Sequence, residues 1–502
     1  MMTKNKKVDM KKQLTILVAA LCVLPVGAGA QQVLTLEDCK QMALENNNSL
    51  KAAQQKVEIS KYDKNIALAN YFPKITATGT YMYNSRDLQL ISDEASKQLT
   101  EAGTNLQNKM GTKIAEIIQS DPTIMADASF AKLVQLAQTT DLATPINAIG
   151  AQIDDALHLD MTNTFAGIVS LQQPVFMGGK IVASNKMAKN AADLAQSQFD
   201  QEHSQVIADI EQAYWQIVSI ACKKNLAENY ADLLHQMGKD VDALIAEGFA
   251  TPSDALTIKV KTNEADMMLT KATNGLALAK MLLCKECGLP LDSDITLADE
   301  NLDMIPTPEM SPVISDEEVY AARPEIKSLT SAQKIYQNKV AIARADMMPK
   351  IALTANYVIT NPSVFNGFEN KFGGFFNAGV MVSVPIFHGT EALQKTRKAK
   401  AEAALTQYKL DDAKEMVSLQ VTQLRQQESE AMEKLSMAES NLENAEENLR
   451  VATVGWNEGM ITSNVVLQAQ TAWLQAHSEY IETGVELQMC SVNLAKAEGR
   501  LK

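Results

Sequence analysis

Glycine and proline are scarce in this chain, 22 and 14 among 502 residues, which excludes a collagen-like or loop-dominated polypeptide and leaves room for long uninterrupted elements. Cations are in the minority: Lys+Arg number 46 against 60 Asp+Glu, and without residues 1–30 the balance is 41 against 59, a formal −18. So acidic a chain repels polyanions, so nucleic acid is not expected as a partner. Beyond the first 30 residues no apolar run approaches the ~20 residues of a membrane-spanning helix, and any membrane role falls to β-strands. Catalytic signatures are missing too. His158, His203, His235, His388 and His477 show no H-E-x-x-H spacing, and there is no G-x-S-x-G or Walker loop. Gly178-Gly179-Lys180 reads as a strand-to-helix turn, since its repeat partner His388-Gly389-Thr390 lacks the lysine. The chain is not expected to be an enzyme, and no cofactor or metal is expected.

The leader has the layout of a secretory signal. Lys11 and Lys12 precede an apolar run from Leu14 to Leu24, followed by Pro25 and the small-residue site Ala28-Gly29-Ala30, so residues 1–30 are read as a cleaved signal peptide. Leu21 stands where a lipobox before Cys22 would need a small residue, which counts against lipidation. Cys39, Cys222, Cys284, Cys287 and Cys490 follow the leader. Cys284 and Cys287 form the one C-x-x-C, and a zinc site would need two more ligands at matching spacing, which the sequence lacks. The pair is read as helix packing near an end marked by Gly288 and Pro290; a redox role is the alternative.

What the sequence has is one long seam and its copy. From about Thr390 to Trp456 apolar residues recur every seven positions at Ala403, Leu410, Val417, Leu424, Ala431, Ala438, Ala445 and Ala452. A second lane runs through Val421, Leu435, Leu442, Leu449 and Trp456, broken by Glu428. This is the a/d pattern of a helix that packs lengthwise against others, and at 1.5 Å per residue it is roughly 100 Å long. Subtracting 211 gives Ala192, Phe199, Val206, Ala213, Ile220, Ala227, Leu234 and Val241, again all apolar, and carries Pro385 to Pro174, Glu458 to Glu247 and Gly459 to Gly248. The chain is a tandem duplication, two copies of one structural unit.

In chain order, Thr35 and Asp38 form a near capping box before the first helix, and a second helix from about Ser49 ends at Tyr71-Phe72-Pro73. There the period changes to two: Ile75, Ala77, Gly79, Tyr81 and Tyr83 against Thr76, Thr78, Thr80 and Met82, a strand with one apolar and one small or polar face. A partner strand from Thr164 to Gln172 stops before Pro174. The second half repeats these events, with a helix from Glu325 to Met348, a strand from Ile351 to Ile359, and a partner from Asn377 to Ser383. The first strand hairpin holds 65 more residues than the second. The extra sequence, within 87–159, reads as a helical insertion broken at Pro122 and Pro145, and a tolerated loop insertion is preferred over a lid or ligand role. Gly248 and Gly459 close the long helices, and Pro252-Ser253 and Thr462-Ser463 start the return helices.

Four alternating strands cannot close alone, because the smallest filled barrels take about eight, and open edges are forbidden in lipid. Several copies must therefore share one barrel, with the helices on one side of the membrane. The expected domains are a first repeat over 31–300 with its helical hairpin at 180–287, a linker over 301–315, and a second repeat over 316–502 with strands within 349–386 and a helical hairpin at 390–502. The fold class is α+β, mostly α.

The stretch from Leu34 through Phe72-Pro73 to Ile75 resembles the N-terminal signature of the outer membrane efflux proteins, the TolC-like outer membrane factors. Ala322-Arg323-Pro324-Glu325-Ile326 resembles that family's repeat step. The resemblance implies a homotrimer whose twelve strands form a barrel in the outer membrane, continued by a helical tunnel through the periplasm. It implies docking on a periplasmic adaptor and an inner-membrane transporter, contact with outer membrane lipid, and export of drugs, small molecules or polypeptides. It places a pore constriction at Asp254 and Trp456 and adaptor docking at the tips, Gly248, Phe249, Gly459 and Met460. Asp254 is also a residue that a helix start favours, and Trp456 a d-position packing residue. The equivalent of Asp254 in the second half is Val465, with Gln468 three residues on, so a second acidic ring is absent. The readings from other classes are a periplasmic adaptor, which the duplicated hairpin and four strands oppose, and an exported coiled-coil structural protein, which leaves the Pro-to-strand switches unexplained.

Overall fold

The computed structural model describes residues 32–302, 305–363, 365, 369–387 and 389–501; the expected leader at 1–30 and His388 lie outside the described residues. The strands of three or more residues are β1 (Gln32–Leu34), β2 (Lys74–Tyr83), β3 (Asn163–Met177), β4 (Ile295–Leu297), β5 (Lys350–Asn361) and β6 (Gly373–Ser383). The helices are α1 (Leu36–Asn46), α2 (Asn48–Ala69), α3 (Asp93–Thr100), α4 (Ala102–Ser120), α5 (Ala128–Thr139), α6 (Ala143–Leu157), α7 (Lys180–Ala246), α8 (Pro252–Cys287), α9 (Asp316–Ala322), α10 (Pro324–Ala345), α11 (Glu391–Asn457) and α12 (Ser463–Ala497). Both long helices, α7 and α11, have 67 residues, and their starts and ends are offset by the 211 positions that relate the sequences. Duplication in sequence is duplication in structure.

The chain divides into two units. The helical unit comprises the chain to Asn65, Ser184–Val340 and Thr396–Lys502. The seven-residue lane does what its spacing predicts: Val206, Ala227, Leu234 and Val241 on α7, and Leu410, Val417, Ala431, Ala438 and Ala452 on α11, are all buried. Three apolar clusters result. One gathers α1, the middle of α7, the end of α8 and β4 around Tyr214, Leu283 and Leu297. A second lies toward the tips around Leu234, Ile258 and Val466. A third joins α9 and α10 to α11 and the end of α12 through Val319, Ile326, Val417 and Leu494. Glu428, the break in the second lane, is buried as well. Burial raises its carboxyl above the usual range, with the Glu498 charge adding to the shift. Glu498 is fully enclosed and held by Arg425 at 2.8 Å and Arg500 at 2.5 Å. Arg323, from the repeat step, is buried and donates to the side-chain oxygen of Gln420 at 2.8 Å. The parallel pairing of β1 with β4 ties the start of the chain to the end of the first repeat.

The other unit comprises Ile66–Ala183 and Ala341–Lys395. Its sheet has the order β2-β3-β5-β6, antiparallel throughout. The partner strand runs past its expected end at Gln172 to Met177, with a bulge between Pro174 and Phe176. Pro174 is tolerated there because β2 has already ended opposite Gln172, so the missing N–H faces no ladder. Helices α3–α6 occupy the insertion between β2 and β3. Pro145, expected as a break, sits in the first turn of α6, where the N–H has no intrahelical partner to lose. Among the described residues no helix is long and apolar enough to cross a membrane.

Candidate functional site

Two features invite a functional reading, one in each unit. In the sheet, opposite residues of antiparallel strands share a face, so the register sorts the side chains. Ile75, Leu171, Ala355 and Ala378 fall on one face, as do Ala77, Val169, Tyr357 and Phe376, and the series continues through Leu353 with Val380 and Ile351 with Val382. The opposite face carries Thr76 with Ser170, Thr78 with Ile168, and Asn356 with Asn377; the last pair is hydrogen-bonded, Nδ2 to Oδ1 at 2.9 Å. An apolar face thus crosses the middle of all four strands, bounded by Gln173 opposite Leu353 and by Asn361 opposite Phe165. Both outer strands are exposed along their length, and each offers a row of unpaired backbone groups.

In the helical unit the features are the two tips. α7 ends with Gly248 at φ 80°, and α11 with Gly459 at φ 69°, conformations that an L side chain reaches only with strain. At the first tip Gly248 N–H bonds to Ile245 O at 3.0 Å and Phe249 N–H to Leu244 O at 2.8 Å. At the second, Gly459 N–H bonds to Trp456 O at 2.9 Å and Met460 N–H to Gly455 O at 2.8 Å. Both are Schellman motifs, in which the apolar residue after the glycine ordinarily packs back on its own helix. Here it does not: Phe249 is 80% exposed and Met460 77%.

Asp254 completes a capping box at the start of α8. Its Oδ2 accepts from Thr251 N–H at 2.9 Å and Thr251 Oγ1 at 2.7 Å, and its own N–H donates to Thr251 Oγ1. These bonds hold its carboxyl below the usual range. Its Oδ1 accepts from Ser463 Oγ, on the second tip, at 3.4 Å. Ser463 is buried and sequence reading did not single it out; its place at the helix start was visible, its partner 209 residues away was not. Trp456 is half-buried and packs with Leu449 and Ile461 on the tip cluster. Val465 and Gln468 are exposed. The structure therefore brings Asp254 and Trp456 into the tip region together, one as a helix cap and the other within its packing.

The sequence profile of the outer membrane efflux proteins matches residues 317–500. The chain is 24% identical over 323 residues to the alkaline protease secretion protein AprF of Pseudomonas aeruginosa, covering 63% of this chain and 66% of AprF, just under two thirds of its length. It is 21% identical over 324 residues to the cobalt-zinc-cadmium resistance protein CzcC of Cupriavidus metallidurans, covering 64% of this chain and 73% of CzcC. Its fold matches that of CusC, described for transmembrane channel formation, at a TM-score of 0.70 with 14% identity, covering 95% of each chain. The second repeat is thus matched by the profile of the outer membrane efflux proteins, and the duplicated hairpins with their two-faced sheet are matched in fold by CusC.

Proposed function

We propose that the chain is the outer membrane channel of an export system, a homotrimer that works with a periplasmic adaptor and an inner-membrane transporter. The observation that carries this is the four-stranded sheet with an apolar face shared by all four strands and two unpaired edges. Such a sheet is stable in lipid only if its edges are closed, and β2 of one copy pairing with β6 of the next satisfies both. Three copies supply twelve strands, and the family supplies the number three. The apolar face meets outer membrane lipid and the threonine and asparagine face lines water. Members of the family are transport channels, and this chain is read as one that moves cargo without chemical change. The cargo is a small toxic molecule, a cation or a polypeptide; the roles named for AprF and CzcC fall within those classes.

The repeats over 31–300 and 316–502, joined at 301–315, each contribute one strand pair and one helical hairpin, and the 87–159 insertion is an addition to the first strand pair. The tip residues Gly248, Phe249, Gly459 and Met460 are the adaptor-docking surface, supported by the exposure of the two apolar side chains. Asp254 and Trp456 belong to the constriction, with Asp254 as its acidic residue. Three copies of Asp254 around one axis draw cations to the entrance. The test of the assembly is mass measurement of the protein extracted from outer membranes in mild detergent: about three times the mature mass is expected, and a folded monomer overturns the proposal. For the constriction, Asp254→Ala is expected to lower cation selectivity in single-channel recordings; unchanged selectivity and conductance would leave Asp254 as a helix cap only.

A further inference from the structure

We propose that Cys39 and Cys287 are joined by a disulfide in the exported protein, a covalent staple between α1 and the end of α8. It rests on the reading of the chain as exported, because such bonds persist only in oxidising compartments. Both residues are completely enclosed in the cluster around Tyr214, and both are thiols in this structure. The Cys287 thiol lies 3.7 Å from the Cys39 carbonyl oxygen.

The backbone around the pair is built for close approach. Gly288, which closes α8 at φ 73°, has no room for a side chain, since a Cβ there would meet Asn46 Cβ of α1 at 2.4 Å. Asn47 Nδ2 donates to Glu286 Oε2 at 3.1 Å, and the β1–β4 pairing fixes the segment before α1. The other buried thiols are directed elsewhere: Cys284 toward Ser293 O at 4.0 Å and Cys222 toward Leu302 O at 3.3 Å. The two helix ends also divide the chemistry. Cys39 stands in the first turn of α1, where the helix N-terminus favours a thiolate, and Cys287 is the last residue of α8, where the dipole disfavours one. Hydrogen bonding within the pair acts in the same directions, lowering Cys39 and raising Cys287.

Because the folded core shuts out other proteins, the bond forms before α1 docks. The Cys39 thiolate attacks the disulfide of an exported thiol oxidoreductase and displaces one of its sulfurs. The Cys287 thiolate, its proton lost to solvent, then attacks the Cys39 sulfur and releases the second. The two electrons pass to the oxidoreductase, which leaves reduced. Burial afterwards protects the bond from reductants.

The experiment is mass mapping of full-length protein from outer membranes, quenched with N-ethylmaleimide under denaturing conditions before digestion. The expected result is a peptide pair linking Cys39 to Cys287 that disappears on reduction, is lost in Cys287→Ser and is kept in Cys284→Ala. Maleimide on both Cys39 and Cys287, or a Cys39 to Cys284 link, overturns the proposal. If the protein fractionates away from the outer membrane, the export reading fails, and detergent-purified protein refolded with oxidised glutathione then decides the pairing. The same linked peptides support it, and alkylated Cys39 and Cys287 overturn it.

Discussion

At position 217 of the first long helix an isoleucine is completely buried; at the equivalent position 428 of the second stands a glutamate, enclosed almost as fully. The pattern recurs where the return helices end, with buried Cys287 in the first repeat and buried Glu498 in the second. It recurs at the tips with the sign reversed, Asp254 in the first and Val465 in the second. The two hairpins share the length of their long helices, the sign of φ at the tip glycines and helix starts at a constant offset of 211 residues. Backbone is thus kept while polarity is redistributed. The first repeat puts an isoleucine at this point of its long helix and caps its tip with a carboxylate; the second puts Glu428 there, encloses Glu498 between the partly exposed Arg425 and Arg500, and leaves its tip cap bare. A shared hydrophobic period is enough to fix two helices in one geometry, and it leaves individual polar positions free to diverge.

The largest effect is expected where the repeats agree. Gly248→Leu and Gly459→Leu each force an L residue to a positive φ, costing roughly 1–2 kcal/mol locally, and place a bulky side chain in space that is open in this structure. If the two tips are equivalent docking elements, either change alone reduces export to the level of a strain lacking the protein, with the trimer still assembled on semi-native gels. Export surviving both would remove the tips from docking.

The next effect is expected where they differ in the core. Glu428 has a raised carboxyl pKa, so its favourable contribution is complete below the ordinary carboxylate range and is lost as pH rises through the folded value. Glu428→Gln removes a buried charge and is expected to raise stability above neutral pH by about 1–2 kcal/mol, with no gain in acid. Thermal unfolding followed across pH reads this directly. An equal gain at every pH would mean that the carboxyl is already neutral and that only its packing matters.

Much of this architecture was legible in the sequence. The heptad lanes gave both 67-residue helices within a residue or two at each end, because a period of seven sustained over so many turns has few other solutions. The alternation from Ile75 to Tyr83 gave β2 and its faces, and the tip glycines gave the turns. What escaped reading was what a period does not carry. The passage of β3 through Pro174 depends on where its neighbour stops, and the Ser463 to Asp254 bond joins residues from different repeats. Contacts between positions hundreds of residues apart leave no local pattern. Glu428 was visible only as an interruption, since Arg425 shares its helix but Glu498 and Arg500 reach it from the segment that closes α12.

The smallest effect tests whether the bare second tip is bare by sequence alone. Thr462 has the extended backbone of an N-cap, φ −84° and ψ 158°, yet its side chain makes no cap bond, whereas Thr251 does so with Asp254. Capping by threonine contributes about 1 kcal/mol where the box is complete. Thr462→Ala is therefore expected to change the protection of the amides at the start of α12 by no more than a few tenths of a kcal/mol, and Thr251→Ala to cost about 1 kcal/mol at the start of α8. Val465→Asp supplies the missing carboxylate at the third helical position, and in that background Thr462→Ala is expected to cost about 1 kcal/mol as well, a coupling that hydrogen exchange on the four variants isolates. If Thr462→Ala is already costly in the natural sequence, the tips do not differ in capping. If Val465→Asp creates no coupling, the tip backbone of the second repeat departs from that of the first, and the equivalence implied by the 211-residue offset ends before the tip.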